Sequence, residues 1–355
     1  MLIYKALFAI KQKGFLIKIS ISNSKKSQIS KTQILRLNLL KFIKIHHFML
    51  QSRLKFKGQI VAYLVFVTFL WAFSFPLIGY FISGQMDSFF AAFFRVFLAF
   101  LVFLPFLNWR VSNALKVQLM SIGALQIGIM YLFYYHSFLY LTVSEVALFT
   151  IFTPFYVSLV YDFFARRFRP LYLISISLCV FGAFIIKFGA INSHFLTGFL
   201  LIQMANLAFG TGQSLYKIVL EYHRIPSQRS IFGYFHLGAA LITALAFFTI
   251  GDTQNLPKNA SSWIVLFYLG LVASGLGYFM WNKGATLVDS GILAIMNNAL
   301  IPAAIIANAL LVALFFPEKS VEFSTAECVK ITLGTLIMFF SLWLHYKIIK
   351  RYEQK

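Results

Sequence analysis

Ten stretches of about twenty apolar residues, separated by short polar turns, leave this chain few folds to choose from. They cover approximately 59–80, 88–107, 118–140, 144–162, 171–189, 195–216, 230–250, 262–282, 290–315 and 328–348. Crossing about 30 Å of hydrocarbon takes roughly 20 residues at about 1.5 Å rise each. In lipid every backbone polar group must be satisfied internally, and continuous apolar runs of this length do so as helices. The chain is 60% hydrophobic and 12% charged, where a soluble domain carries about 25% charge. The expected fold is an all-α integral membrane protein with ten transmembrane helices.

The formal charge of +21 could suggest a polyanionic partner, but the placement of the basic residues argues otherwise. Of the 31 lysines and arginines, 13 precede the first span, and the turns after spans two, four, six and eight hold a further nine. With Lys347, Lys350, Arg351 and Lys355 at the end, 26 fall on one side; Lys187, Lys258, Lys319 and Lys330 fall on the other, and Arg95 lies within a span. By the positive-inside rule both termini are expected in the cytoplasm of a cell-membrane protein. The excess reads as topology on an anionic leaflet and not as a nucleic-acid site.

The stretch from Gly275 to Glu318 carries the most information. It holds a Gly-rich span end, a turn from Asn282 to Asp289, and a span with Asn297, Asn298, Pro302 and Asn308. Amides and a proline are costly in hydrocarbon unless they face protein or water, so this helix should line an interior. About 147 residues earlier, Gly128, Tyr131, Tyr134, His136, Ala147 and Pro154 stand where Gly275, Tyr278, Trp281, Lys283, Ala294 and Pro302 stand later, with one slip before the proline. This predicts an internal repeat, with Pro154 and Pro302 as matched helix breaks. Five spans per copy is an odd number, so the two halves are inverted, an arrangement that places a site near the midplane at their junction.

Expected boundaries are a basic tail over 1–57, repeats over 58–190 and 195–348, and a short tail over 349–355. The tail has no acidic residue, and Ile34 to Lys44 could form a basic amphipathic helix on the membrane. Met49 opens an ordinary basic lead into the first span, so residues 1–48 read either as an over-extended frame or as a dispensable surface segment. Cys179 and Cys328 make neither a disulfide framework nor a cysteine metal site. The acidic residues are scattered near span boundaries, and no metal, cofactor or catalytic constellation is expected.

Single residues leave choices open. Arg95, about two turns into span two, costs about 2.5–3.5 kcal/mol at mid-membrane and should face the bundle or snorkel. Glu145 is its expected partner, and a structural pair and a substrate clamp are both compatible with the position. Lys217 reads as a snorkelling anchor. His136 and His236 read as hydrogen-bonded core residues.

At these residues the chain resembles the drug/metabolite transporter superfamily, in particular its ten-span EamA-type members. The likeness rests on Trp263 to Gly284 followed by Ala299 to Lys319, with Pro302 and Glu318 in the family's places, and on Trp71, Arg95 and Pro154 in the first half. One departure is the basic turn Ala165 to Pro170, which stands where the family closes span four with a glutamate. The resemblance implies a central cavity lined by spans one, three, four, six, eight and nine. Mapped here, it nominates Trp71, Ser74, Tyr131, Tyr135, Gln213, Tyr278, Trp281, Asn297 and Asn298 as substrate-facing, with Arg95 beside them if it turns inward.

The expected function is a secondary transporter, monomeric or homodimeric, that moves a small polar or amphipathic metabolite such as an amino acid, carboxylate or amine by alternating access. An Arg95 facing the cavity would favour a carboxylate. The alternative class is a membrane-embedded enzyme acting on a lipid-linked substrate.

Overall fold

The computed structural model describes residues 62–141, 143–187, 195–223, 225, 227–316, 318 and 323–353. The readings made for the N-terminal tail fall outside these residues. Ten apolar helices run through the described chain: α1 Ala62–Phe81, α2 Ser88–Phe106, α3 Asn113–Ser137, α4 Glu145–Phe164, α5 Pro170–Ile186, α6 Phe195–Tyr222, α7 Gln228–Ile250, α8 Ala260–Ala285, α9 Ser290–Phe315 and α10 Thr325–Tyr352. Among the described residues there is no strand. Helices α6, α8 and α10 outrun the expected spans, and α3 starts earlier than expected, whereas α2 and α9 start where expected, at capped turns. Asp87 caps α2 by accepting from Phe90 N at 2.7 Å, and Asp289 caps α9 by accepting from Gly291 N at 2.8 Å.

Equivalent helices of the two halves pack into shared lobes. One apolar core draws on α2, α3, α7 and α8, the other on α4, α5, α9 and α10. Helices α1 and α6 contribute to both, and Trp71, Tyr134 and Phe209 border both cores. Large side chains such as Leu245, Phe248, Leu336 and Phe339 stay exposed, as a lipid-facing perimeter requires.

Repetition extends to irregular backbone. Helix α3 widens to π geometry over Ala124–Ile129, and α8 does so over Tyr268–Leu276, which ends at the position 147 residues on. Helix α4 tightens at Thr150–Phe152 before Pro154, and α9 is interrupted at Ala299 before Pro302. A proline frees the carbonyl four residues back. In α4 that carbonyl, Thr150 O, accepts instead from Thr153 Oγ1 at 2.8 Å. Next to it, Ile151 O accepts from Asn298 Nδ2 at 3.0 Å, a bond across 147 residues. Tyr131 and Tyr278, also 147 apart, meet edge to face with centroids 6.3 Å apart. Repeat-equivalent positions touch each other only near the axis that relates the halves, so that axis passes beside both pairs.

Close helix approach depends on small residues. A Cβ added at Gly123 would run into the carbonyl of Phe235, and one at Gly238 into that of Met120, so α3 and α7 meet backbone to backbone. Gly238→Val is therefore expected to cost about 1–3 kcal/mol or more, read as a lower unfolding temperature of the purified protein. Gly275→Ala, whose new Cβ meets its nearest neighbour at 3.4 Å, should leave that temperature unchanged.

Candidate functional site

Between the two lobes lies a cavity that, together with the open space at its mouth, holds about 1060 Å³ of atom-free volume. Its wall comes from α1, α2, α3, α4, α6, α8 and α9. Of the nominated residues, Trp71, Ser74, Arg95, Tyr131, Tyr278, Trp281 and Asn297 line it. The helix breaks lie beside it, because Thr150 and Thr153 before Pro154, and Leu300 and Ile301 before Pro302, also form the wall.

Three nominated residues stand behind the wall. Tyr135 accepts from Arg95 Nη1 at 3.0 Å. Gln213 is fully buried, accepting from Trp281 Nε1 at 2.9 Å and reaching Asn297 Oδ1 at a long 3.5 Å. Asn298 is spent on Ile151 O. Asn297 lines the cavity, whereas Asn298, one residue on, is turned away to the Ile151 carbonyl.

Arg95 is 3% exposed, yet it lines the cavity. The expected pairing with Glu145 gives way to neutral partners. Nε donates to Ser274 Oγ at 3.0 Å, Nη1 to Tyr135 OH, and the guanidinium sits 4.5 Å over the Tyr131 ring. Hydroxyls and a ring face can hold an arginine without neutralising it. Among the described residues no carboxylate pairs with it, and no acidic side chain lines the cavity. From this cation a file of aromatic rings crosses the wall. Tyr131 meets Tyr278, Tyr278 meets Trp71 at 4.9 Å, and Trp71 meets Trp281 at 5.0 Å. Trp71 is fixed by donating its Nε1 hydrogen to Ala273 O at 2.8 Å.

Lining residues that sequence reasoning missed include Thr150, Thr153, Asn206 and Phe209. Two signals pointed to some of them. Thr150 lies 147 residues before Asn297, so the repeat marks it. Asn206 is an amide in an apolar run, the same signal that marked Asn297; its Oδ1 lies 3.0 Å from Thr153 Oγ1, whose single hydrogen it shares with the nearer Thr150 O.

The bundle end that bears the basic turns is closed by a polar cluster. Arg169 joins Asp162 to Asp289 and Ser290, and Tyr172 donates to Asp289 Oδ2 at 3.1 Å. His345 bridges Asp289, at 3.2 Å, and Ser175, at 2.8 Å. Arg166, with φ 50°, turns the chain so that the ARRFRP segment folds back onto α4. The departure from the family pattern thus supplies this closure. Lys217 does not snorkel: it is buried, donates to Val288 O at 2.8 Å and pairs with Glu221 at 3.0 Å. His236 has no hydrogen-bond partner among the described residues and packs against Phe103 and Phe232, contrary to expectation.

Burial opposes the charge on Asp289, but the hydrogen bond from His345, the charge of Arg169 and the Gly291 N–H outweigh it and hold its carboxyl below the ordinary value. A lowered acid contributes once pH exceeds its ordinary value and is lost only as pH falls through the lowered one. Asp289 is therefore ionised throughout the neutral range. Arg169→Gln should loosen this end. With Cys328→Ser, a reporter Val288→Cys, at a position 6% exposed, should react several-fold faster with a charged thiol reagent; an unchanged rate would mean the cluster does not seal it.

An inverted pair of helix bundles around a polar-and-aromatic cavity defines a membrane carrier. The model of the EamA-like transporter family matches residues 58–188 and 196–345, and the chain belongs to that family. It is 44% identical over 289 residues to the biotin transporter of Salmonella typhimurium, covering 81% of this chain and 93% of that one. The biotin transporter of Escherichia coli K12 is 43% identical over the same length, and the probable biotin transporter of Pseudomonas aeruginosa 46% over 285 residues, covering 80% and 96%. One crystal structure shares the fold at a TM-score of 0.63 and 15% identity, over 81% of this chain and 96% of its own.

Proposed function

We propose that the chain carries biotin across the cell membrane by alternating access. The observation that carries this reading is Arg95, a buried cation in the cavity wall with hydroxyl partners and, among the described residues, no acidic side chain in the lining. A cation in that setting calls for an anion, and a carboxylate accepts the guanidinium's remaining N–H groups with good geometry. Among the metabolites considered from sequence, an amine would meet like charge there and no counter-charge. Biotin joins a carboxylate to an aliphatic chain and a compact bicyclic head, which suits a cationic pole followed by aromatic rings. The relatives that carry the name are similar over nearly their whole length.

Under the positive-inside rule the basic end is cytoplasmic. The closed polar cluster then faces inward.

Cells that neither make biotin nor possess another carrier should accumulate labelled biotin when they express the protein. Arg95→Gln should lower that uptake at least about tenfold, because a charge-assisted contact is worth more than one neutral hydrogen bond. Arg95→Gln uptake equal to wild type, at equal membrane abundance, would remove the carboxylate anchor.

A further inference from the structure

Arg95 supplies one pole of the cavity. A second stands at Asn297, and its hydrogen bonding has a fixed direction. An indole N–H can only donate. Trp281 Nε1 donates to Gln213 Oε1 at 2.9 Å, which turns the Gln213 amino group toward Asn297 Oδ1 at 3.5 Å. Asn297 Nδ2 in turn donates to Leu293 O at 2.8 Å. Gln213 and Trp281 are both buried, so the order of donors and acceptors is set by protein groups alone. What remains of the Asn297 amide is one N–H and one oxygen lone pair, on a residue that lines the cavity. Ser74 adds a second unspent group. Its hydroxyl is buried, belongs to a lining residue and has no partner among the described residues. Desolvated polar groups of this kind remain uncompensated until a polar ligand meets them.

A group that offers both a carbonyl and an N–H, such as a cyclic urea or lactam, complements a donor and acceptor on one amide. An alkyl or disulfide ring does not. Resting on the biotin reading above, we propose that Asn297, oriented by Gln213 and Trp281, recognises the cyclic urea of the substrate. The cavity then selects molecules that carry a carboxylate at one end and a urea or amide at the other. Trp71, between Tyr278 and Trp281 in the ring file, lies beside the apolar middle of such a molecule. Gln213 acts through Asn297 and is a positioning residue.

The test uses the full-length protein in proteoliposomes, with labelled biotin as the transported probe and two competitors. Desthiobiotin keeps the urea and loses the sulfur ring; lipoate keeps a carboxylate, an aliphatic chain and a sulfur ring and lacks the urea. In the wild type, desthiobiotin should compete within a few-fold of biotin, and lipoate at least about tenfold more weakly, the cost of leaving a site's polar groups unpaired. Asn297→Leu should abolish that difference by weakening biotin and desthiobiotin while lipoate competes as before. Gln213→Met should reduce it partway, with an unchanged unfolding temperature. No biotin uptake by the wild type would overturn the biotin reading and this inference together. Biotin uptake that lipoate inhibits as well as desthiobiotin does would overturn this inference alone, even if no variant folds; so would an Asn297→Leu protein that keeps the preference.

Discussion

Wherever a helix breaks inside hydrocarbon, the loosened carbonyls need new donors, and the architecture of this carrier depends on how two such breaks are satisfied. Helix α4 tightens before Pro154 and α9 is interrupted before Pro302. Thr153 closes one exposed carbonyl locally, and Asn298 of the other half closes the next. An unsatisfied carbonyl in this setting would cost several kcal/mol. The Asn298 bond thus ties the two repeats together at the axis relating them, and it lets α4 bend beside the cavity with that carbonyl satisfied. Asn297, one residue earlier, is left to face the interior.

Charge is managed differently at the two levels of the bundle. At the basic end, Arg169, Asp162, Asp289 and His345 are drawn from several turns and helices of both halves and satisfy one another, which closes that end. Deeper in, Arg95 receives only hydroxyls and the face of Tyr131. Those partners hold its position and leave its charge uncancelled. One cluster is complete by itself; the other, on the function proposed above, is completed by a ligand. That contrast separates the closure from the candidate binding site, although both contain an arginine in a largely apolar protein.

Much of this was written in the sequence, and for an identifiable reason. A polar residue in an apolar run has a cost that its own segment cannot meet, so Arg95 and Asn297 announced themselves as inward-facing, and the family resemblance added Gln213. The repeat doubled the signal, since Tyr131 and Tyr278 marked each other. The same logic misassigned Glu145 as the partner of Arg95, Lys217 as a snorkelling anchor and Asn298 as a wall residue. In each case the cost was legible and the neighbour that met it was not.

The sequence by itself determined ten helices, their inverted repetition, the breaks before Pro154 and Pro302, and a cation held within a span. Local rules suffice for these, because the length of an apolar run, the geometry of proline and the price of a charge in lipid do not depend on distant residues. Only the tertiary structure decided that the lobes mix equivalent helices from both halves, that Asn297 and not Asn298 faces the cavity, and that Gln213 and Trp281 fix the direction of its amide. Those outcomes turn on which helices meet and at what rotation, and that is set by close packing at positions such as Gly123 and Gly238 on helices far apart in the chain.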